Sequence, residues 1–163
     1  MIKMKVLFGA TEREITEIIA RFVSCLGLSE AAGKIWGALM LAGKPLSQDD
    51  IAKLTNYSIG VVSSNLSFLE RLGFVVKVGR KGRRSLYASS STLMDIFEKF
   101  FQQVLDVQVT SLLRFLQERM DSLSEATREN AMKILNEYKK IRVAINMIIP
   151  LLRKIRHFSP NSI

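Results

Sequence analysis

A dense group of cations lies in the six-residue stretch Gly79-Arg80-Lys81-Gly82-Arg83-Arg84. Four positive side chains over this length are far more than solubility requires, and arginine and lysine are well suited to bind phosphate groups. The two glycines supply the backbone freedom that a hairpin tip needs. We therefore expect residues 79–84 to form a hairpin tip that clamps phosphates through Arg80, Lys81, Arg83 and Arg84.

A second set of candidate contacts lies on a short helix that precedes this tip. Apolar residues at helical spacing predict one buried face, formed by Val62, Leu66, Leu69 and Leu72. The opposite face is small or hydroxylated, which lets a helix approach a groove closely and contact phosphates or base edges. The candidate contacts there are Ser58, Gly60, Ser63, Ser64 and Ser67.

Capping residues predict the helices that position these contacts. Ser47 can cap a first helix, and the Asp50 side chain then reaches back to the backbone N–H of the cap. Leu46 and Ile51 form the hydrophobic staple of the same helix. After a polar turn over residues 55–57, Ser58 can cap the second helix.

The second helix is followed by a hairpin. Gly73 is suited to end the helix, and residues 74–78 and 85–88 are rich in the β-branched and aromatic side chains typical of strands. Two helices that run into a basic hairpin predict a winged helix-turn-helix lobe over residues 29–91.

Two helices precede this pattern. The first begins at Thr11 and ends at Gly27, within an N-terminal segment 1–28 that we expect to serve in packing or dimerisation. Its expected buried stripe is Ile15, Ile18, Ile19, Phe22, Val23 and Leu26. Ser29 caps the second, whose expected inward residues are Ile35, Trp36, Leu39 and Met40.

Residues 92–163 predict long C-terminal helices. One begins at Thr92, with Asp95 as its capping partner, and runs for about 28 residues, or roughly 40 Å. After a break at 121–124, a last helix extends from about Glu125 to His157, and Pro150 should kink it. Its main stripe is Met132, Leu135, Tyr138, Ile141, Ile145, Ile148, Leu152 and Ile155.

The last helix is apolar nearly all round near Ile148, which predicts a homodimer held by these helices. The alternative is that both long helices fold back on the lobe and bury every apolar face internally. The predicted fold class is mainly α with a small β-hairpin.

Charge is unevenly distributed along the 163 residues, which have a formal net charge of +9. Residues 74–91 contain five cations and no anion, and residues 139–163 contain six and none. A dense cluster of cations beside a helix-turn-helix pattern is typical of a protein that binds nucleic acid. The alternative is that these cations are only a solvated surface.

Other function classes have little support in the sequence. Cys25 is the only cysteine and is expected to pack in a core, and His157 is the only histidine, near a helix end. No cofactor or metal motif is present, and Asp49 and Asp50 are explained as first-turn helix acids, so we expect no enzyme. The first ten residues are too short for a signal peptide, and no segment is long and apolar enough for a membrane span, which predicts a cytoplasmic protein.

The segment from Ser58 to Val75, with Val78, Gly82, Arg83 and Tyr87, resembles the winged helix of MarR-type transcriptional regulators. The Gly-x-Arg wing is most similar to their GbsR-like branch. The resemblance covers about residues 28–89 and implies a dimeric repressor or activator. In that arrangement helix 58–72 enters the major groove of double-stranded DNA, and wing 79–84 lies along the flanking backbone or minor groove.

The resemblance also implies a small-molecule or peptide-like effector of unknown identity, bound between the lobe and the dimer helices. The aromatic residues at helical spacing could line such a pocket or fill the core: Trp36, Phe97, Phe100, Phe101 and Tyr138. Where the family often has a larger polar or cationic residue, this chain has Ser64. Serine distinguishes bases poorly, so the wing and DNA shape are expected to contribute more to recognition.

Two other functions remain open. A winged helix can also serve as a protein–protein interaction module in a larger assembly, with the basic wing against an acidic partner. The cations of the last helix could lie on an anionic membrane, but they do not form one polar face opposite an apolar one, so this function ranks last.

Overall fold

The computed structural model describes residues 8–157. The sequence-based expectation for the first ten residues therefore falls mostly outside the described part. The chain forms two compact units, one ending at Ile96 and the other beginning at Phe97.

The elements of the first unit are helices α1 (Ala10–Ser24) and α2 (Glu30–Ala42), strand β1 (Leu46–Ser47), helices α3 (Gln48–Thr55) and α4 (Ile59–Arg71), and strands β2 (Val75–Lys81) and β3 (Arg84–Ser89). Helix α5 (Leu93–Gln103) follows across the boundary. The strands form one antiparallel sheet in the order β1-β3-β2. The fold class is the predicted one. Strand β1 is additional, because a strand of two residues is too short to be recognised in the sequence.

The predicted capping residues are confirmed at four helices. Ser29 and Ser58 each accept a hydrogen bond from a backbone N–H in the first turn of α2 and α4. Ser47 and Asp50 form the reciprocal capping box of α3. The carboxylate of Asp95 accepts from the backbone N–H of Thr92 at 2.7 Å before α5. Local side-chain chemistry therefore fixes where these helices begin.

The core of the first unit is centred on α2 and α4. Trp36 and Ile35 are fully buried, and so are Val62 and Leu69 on the predicted inner face of α4. Trp36 packs against Phe74, with 6.3 Å between ring centroids. Trp36 is thus a core residue of the lobe.

The buried face of α1 differs from the predicted stripe. Ile15, Ile18 and Phe22 are 38%, 52% and 45% exposed, while the small residues Thr16 and Ala20 are buried together with Val23. The reason lies on α2, where glycines allow a close approach of the two helices. Gly33 and Gly37 face α1, and a Cβ at Gly33 would lie 2.8 Å from the Cα of Ala20. Because α2 has glycines at this contact, α1 packs against it through the face that carries the smaller residues.

The second unit contains a long helical run that is not uniform. A π-helical segment, Val104–Val109, joins α5 to α6 (Thr110–Arg119), and a 3₁₀ turn at Met120–Ser122 precedes α7 (Glu125–Arg156). The backbone N–H and the side chain of Thr110 both donate to the carbonyl of Leu105, five residues earlier. The predicted break at 121–124 is confirmed, and α7 continues through Pro150.

The core of this unit lies between the long run and α7. Its buried residues are Leu105, Val109, Leu113, Leu135, Ile145 and Ile149. Glu98 of α5 accepts from Arg153 at 2.7 Å and also pairs with Arg156, which ties α5 to the last turns of α7. Met132, Ile141 and Ile155 of the predicted stripe are more than 40% exposed, so only part of that stripe packs in this core.

The glycine contact between α1 and α2 gives a stability prediction. Gly33→Ala should lower the free energy of unfolding by about 1–3 kcal/mol, because the added methyl meets backbone that cannot move cheaply. The matched control is Gly60→Ala in α4, where only the Ser58 hydroxyl lies within 4 Å. That change should raise the free energy by up to about 1 kcal/mol through helix propensity. Urea unfolding measures the change in free energy for both variants. Equal changes would contradict the close packing of α1 against Gly33.

Candidate nucleic-acid interface

The basic hairpin is longer and tighter than the sequence suggested. Lys81 pairs with Arg84 across the hairpin, so only Gly82 and Arg83 form the turn. Gly82 has φ +63°, whereas Arg83 has no positive φ, as in a type II′ turn. The expectation that both glycines serve the tip is wrong, because Gly79 has an ordinary φ and lies within β2 beside a register shift. The bulge there leaves Val78 without a cross-strand partner.

The four cations of the hairpin fall into two pairs. Lys81 and Arg84 lie directly opposite one another, an arrangement that like charges disfavour. Acids at the N-terminus of α3 offset the repulsion. Arg84 Nη1 lies 3.0 Å from Asp49 Oδ2. The pKa of Asp50 is lowered mainly by its hydrogen bond with the Ser47 hydroxyl and to a smaller extent by the charge of Lys81. The sequence pattern identifies Asp49 only as a first-turn helix acid, and this ion pair with a residue 35 positions later is visible only in the structure.

The other two cations remain available. Arg83 is in the turn, and Arg80 lies opposite Ser85. Both are exposed, and among residues 8–157 neither forms an ion pair. They are the side chains of the hairpin best able to meet an external anion.

The base of the hairpin is held against α3 by Tyr87. This residue is 5% exposed and pairs with Leu46 of β1 on one side and Lys77 of β2 on the other. Its hydroxyl accepts from Gln48 Nε2 at 3.3 Å, and Lys77 Nζ lies 5.5 Å from its ring centroid. The short strand β1 thus joins the hairpin to the helix-turn-helix and sets its direction.

Helix α4 presents the predicted small face outward. Gly60, Ser64 and Ser67 are exposed and Ser63 is partly exposed, opposite buried Val62. The turn before α4 relies on Asn56, which adopts the left-handed conformation with φ 59°. Ser58 follows as the cap.

Two hydroxyls on this face are bonded within the helix. Ser64 Oγ donates to the carbonyl of Val61 at 3.1 Å, and Ser67 Oγ donates to that of Ser63 at 3.0 Å. Asn65 is also engaged, donating to Val61 and accepting from the Ser29 hydroxyl. Such local bonds are usual for serine in a helix.

Three further residues border the face and were not among the sequence-based candidates. Ile59 and Val61 are 45% and 36% exposed on either side of Gly60. Arg71 is exposed and lies eleven residues after Gly60, about three helical turns along the same face. Helical spacing alone could have identified Arg71, whereas exposure of the two apolar residues needed the structure.

Other sequence-based candidates lie away from this surface. The expectation that Cys25 packs in a core is wrong: it is exposed just after α1, where its thiol donates to the carbonyl of Arg21. His157 caps α7 through its backbone N–H. Between residues 8 and 157, no group of three His, Cys, Asp or Glu side chains is arranged to hold a metal ion. In the same part, no helix has the length and apolarity to cross a membrane.

Comparison with solved structures places this geometry in a known fold. A crystal structure of a transcriptional regulator superposes with a TM-score of 0.56 at 16% identity, over 88% of this chain and 94% of that chain. The fold is a winged helix. No protein-family model matches the sequence, and no curated protein does.

Two further crystal structures are similar at lower scores. MepR, a transcription regulator of the Staphylococcus aureus multidrug efflux pump MepA, has a TM-score of 0.41 at 19% identity, over 82% of this chain and 98% of its own. Wild-type MarR from E. coli, in its apo form, has a TM-score of 0.42 at 14% identity, over 81% of this chain and 97% of its own.

The capping box of α3 makes stability depend on pH. The Ser47 hydroxyl, 2.6 Å from Asp50 Oδ2, is the main cause that lowers the pKa of Asp50. A carboxyl whose pKa is lower in the folded state stabilises the protein above its unfolded pKa of about 3.9, and this contribution is lost as the pH falls through the folded pKa.

Asp50→Asn, which imitates the neutral acid, should therefore lower the free energy of unfolding by about 0.5–1 kcal/mol at pH 7. The difference from wild type should shrink below about pH 4. Urea unfolding of both proteins between pH 7 and a pH below 4 checks this prediction, with Asp121→Asn in the turn before α7 as the control. A difference that does not vary with pH would show that the carboxylate's charge is not involved.

Proposed function

We propose that this chain is a sequence-specific, double-stranded DNA-binding transcriptional regulator that acts in the cytoplasm as a homodimer. Helix α4 with its cap, residues 58–72, enters the major groove, and the hairpin tip at 79–84 lies on the flanking backbone or minor groove. The observation that carries the proposal is that Arg80 and Arg83 are exposed and form no ion pair within residues 8–157, in the same lobe as the outward small face of α4. The resemblance to MarR-type regulators, and to their GbsR-like branch, supports the same function.

The division of charge within the hairpin suits this function. Arg80 and Arg83 neutralise phosphates, whereas Arg84 serves first to hold the hairpin against Asp49. Phosphate contacts fix the register of a protein on DNA, and side chains in the groove then select sequence. Lys81 and Arg84 remain exposed and add to the positive potential that attracts the duplex.

The homodimer rests on a second apolar seam along α7. Exposed Ile141, Leu151 and Ile155 alternate with Ala144 and Ile148 at intervals of three and four residues, the heptad spacing of a coiled coil. This seam lies beside the one that packs in the core of the second unit. A second copy of the chain fits it best, because a seam with heptad spacing is complementary to itself about a two-fold axis.

The seam at 141–155 lies within residues 139–156, which contain six cations and no acid, so packing through it brings like charges together in either orientation of the two α7 helices. Two lobes related by a two-fold axis would then recognise half-sites about 34 Å apart. The effector implied by the resemblance remains part of this proposal, without an assigned site.

Salt titration on random duplex tests the DNA-binding function. Wild-type affinity should fall steeply as salt rises, because each neutralised phosphate releases counterions. Arg83→Ala should weaken binding to all sequences and reduce the log–log salt slope by about one. Arg114→Ala, an exposed arginine of α6, changes net charge equally and should leave the slope unchanged.

A flat salt response in the wild type would instead favour a protein-interaction module with an acidic partner. Ser63→Ala separates the roles of helix and wing, since it should alter sequence preference more than overall affinity. Equal losses on selected and random duplex for both the Ser63 and Arg83 variants would contradict that division.

Sedimentation velocity at micromolar concentration tests the dimer. Leu151→Glu puts a charge into the exposed seam and should convert a dimer to monomers, because burying an unpaired carboxylate is costly. Val143→Glu is the matched control: Val143 is 57% exposed but lies about a third of a turn from the centre of the seam, so its variant should remain dimeric. A wild-type monomer would overturn the proposal.

A further inference from the structure

On the small face of α4, Ser64 and Ser67 offer hydrogen-bond acceptors more readily than donors. The hydroxyl hydrogens of Ser64 and Ser67 are directed to carbonyls of the same helix, so their oxygens present lone pairs to the outside. Asn65 is held between Val61 and Ser29. Guanine presents two acceptors in the major groove and is best recognised by a double donor such as arginine. The first two turns of α4 contain no such donor.

Two apolar side chains flank the same end of the helix. Ile59 and Val61 lie about 100° to either side of Gly60, and both are exposed. A Cβ added at Gly60 would meet nothing closer than 3.9 Å, so nothing in the described chain covers the backbone there. A groove could thus approach the helix closely at Gly60, which would bring both flanking side chains toward the base edges on the floor of the groove.

The major groove offers an apolar group of the right kind. Thymine is the base with a C5 methyl group, and apolar side chains are its usual protein contacts. A helix end with two exposed β-branched residues and outward-facing acceptors is complementary to thymine methyls and base amino groups. It is poorly suited to the acceptor edge of guanine.

We propose that Ile59 and Val61 are specificity-determining residues that recognise thymine methyl groups in the major groove. The inference rests on the proposed DNA-binding function and adds the chemistry by which the helix selects its site. The exposed cations of the hairpin favour duplex DNA over an apolar protein partner for this end of α4, because Arg80 and Arg83 lie in the same lobe and are suited to bind an anion. Phosphates beside the groove supply it.

The test begins with selection of bound sequences from random duplex by the full-length protein. The half-sites should be rich in thymine where α4 contacts them. Each thymine of a selected duplex is then replaced singly by deoxyuridine, which removes only the C5 methyl. Wild-type affinity should fall about fourfold for each contacted methyl, the value of one buried methyl group.

The variants Ile59→Ala and Val61→Ala assign the contacts. Each should weaken binding to the thymine duplex and lose the response to deoxyuridine at only one position of each half-site. Val107→Ala, at a 52% exposed valine of the π-helical segment, is the matched control and should keep the full response. Thermal unfolding confirms that each variant is folded, as expected for exposed positions.

The outcomes separate the two levels of the proposal. Tight, salt-dependent binding that is indifferent to deoxyuridine at every position would overturn the thymine inference and leave the regulator intact. Selected half-sites in which guanine predominates at the positions that α4 contacts would also overturn the thymine inference and leave the regulator intact. Absence of duplex binding at low salt would overturn the DNA-binding function itself, and the inference with it.

Discussion

The ion pair between Arg84 and Asp49 is the contact on which the candidate interface depends. It lets the hairpin hold two cations directly opposite one another, an arrangement that would otherwise favour fraying of the strands. The pair is exposed, so its own contribution to stability is small. Its importance is geometric, because together with Tyr87 it fixes the hairpin against α3 and leaves Arg80 and Arg83 pointing to solvent.

The elements that sequence could predict are those determined by local chemistry. Ser29, Ser47 and Ser58 mark the starts of three helices because a cap needs a hydroxyl at one defined position. Gly82 marks the hairpin turn for an equally local reason. Such signals involve residues within a few positions of one another, so no knowledge of the tertiary structure is needed.

The errors arose where a partner distant in sequence decides the outcome. The apolar stripe of α1 was evident, but Gly33 on α2 determined that small Ala20 would face inward and Ile18 outward. Helix α7 has two adjacent apolar seams. The sequence alone does not show which seam packs in the core of the unit and which is exposed. The cations of the hairpin are neighbours in sequence, whereas the acid that pairs with Arg84 lies 35 positions earlier and has the pattern of an ordinary helix acid.

The π-helical segment has a consequence for how the chain tolerates changes in length. Phe101, Leu105, Val109 and Leu113 recur every four residues, and in a regular α-helix each such step rotates the side chain by about 40°. The wider turn at 104–109 absorbs this rotation and keeps Leu105, Val109 and Leu113 on one core. Loss of one exposed residue there, such as Val107, would restore ordinary helical spacing with the same core. A chain one residue shorter in this segment is therefore expected to keep the same core.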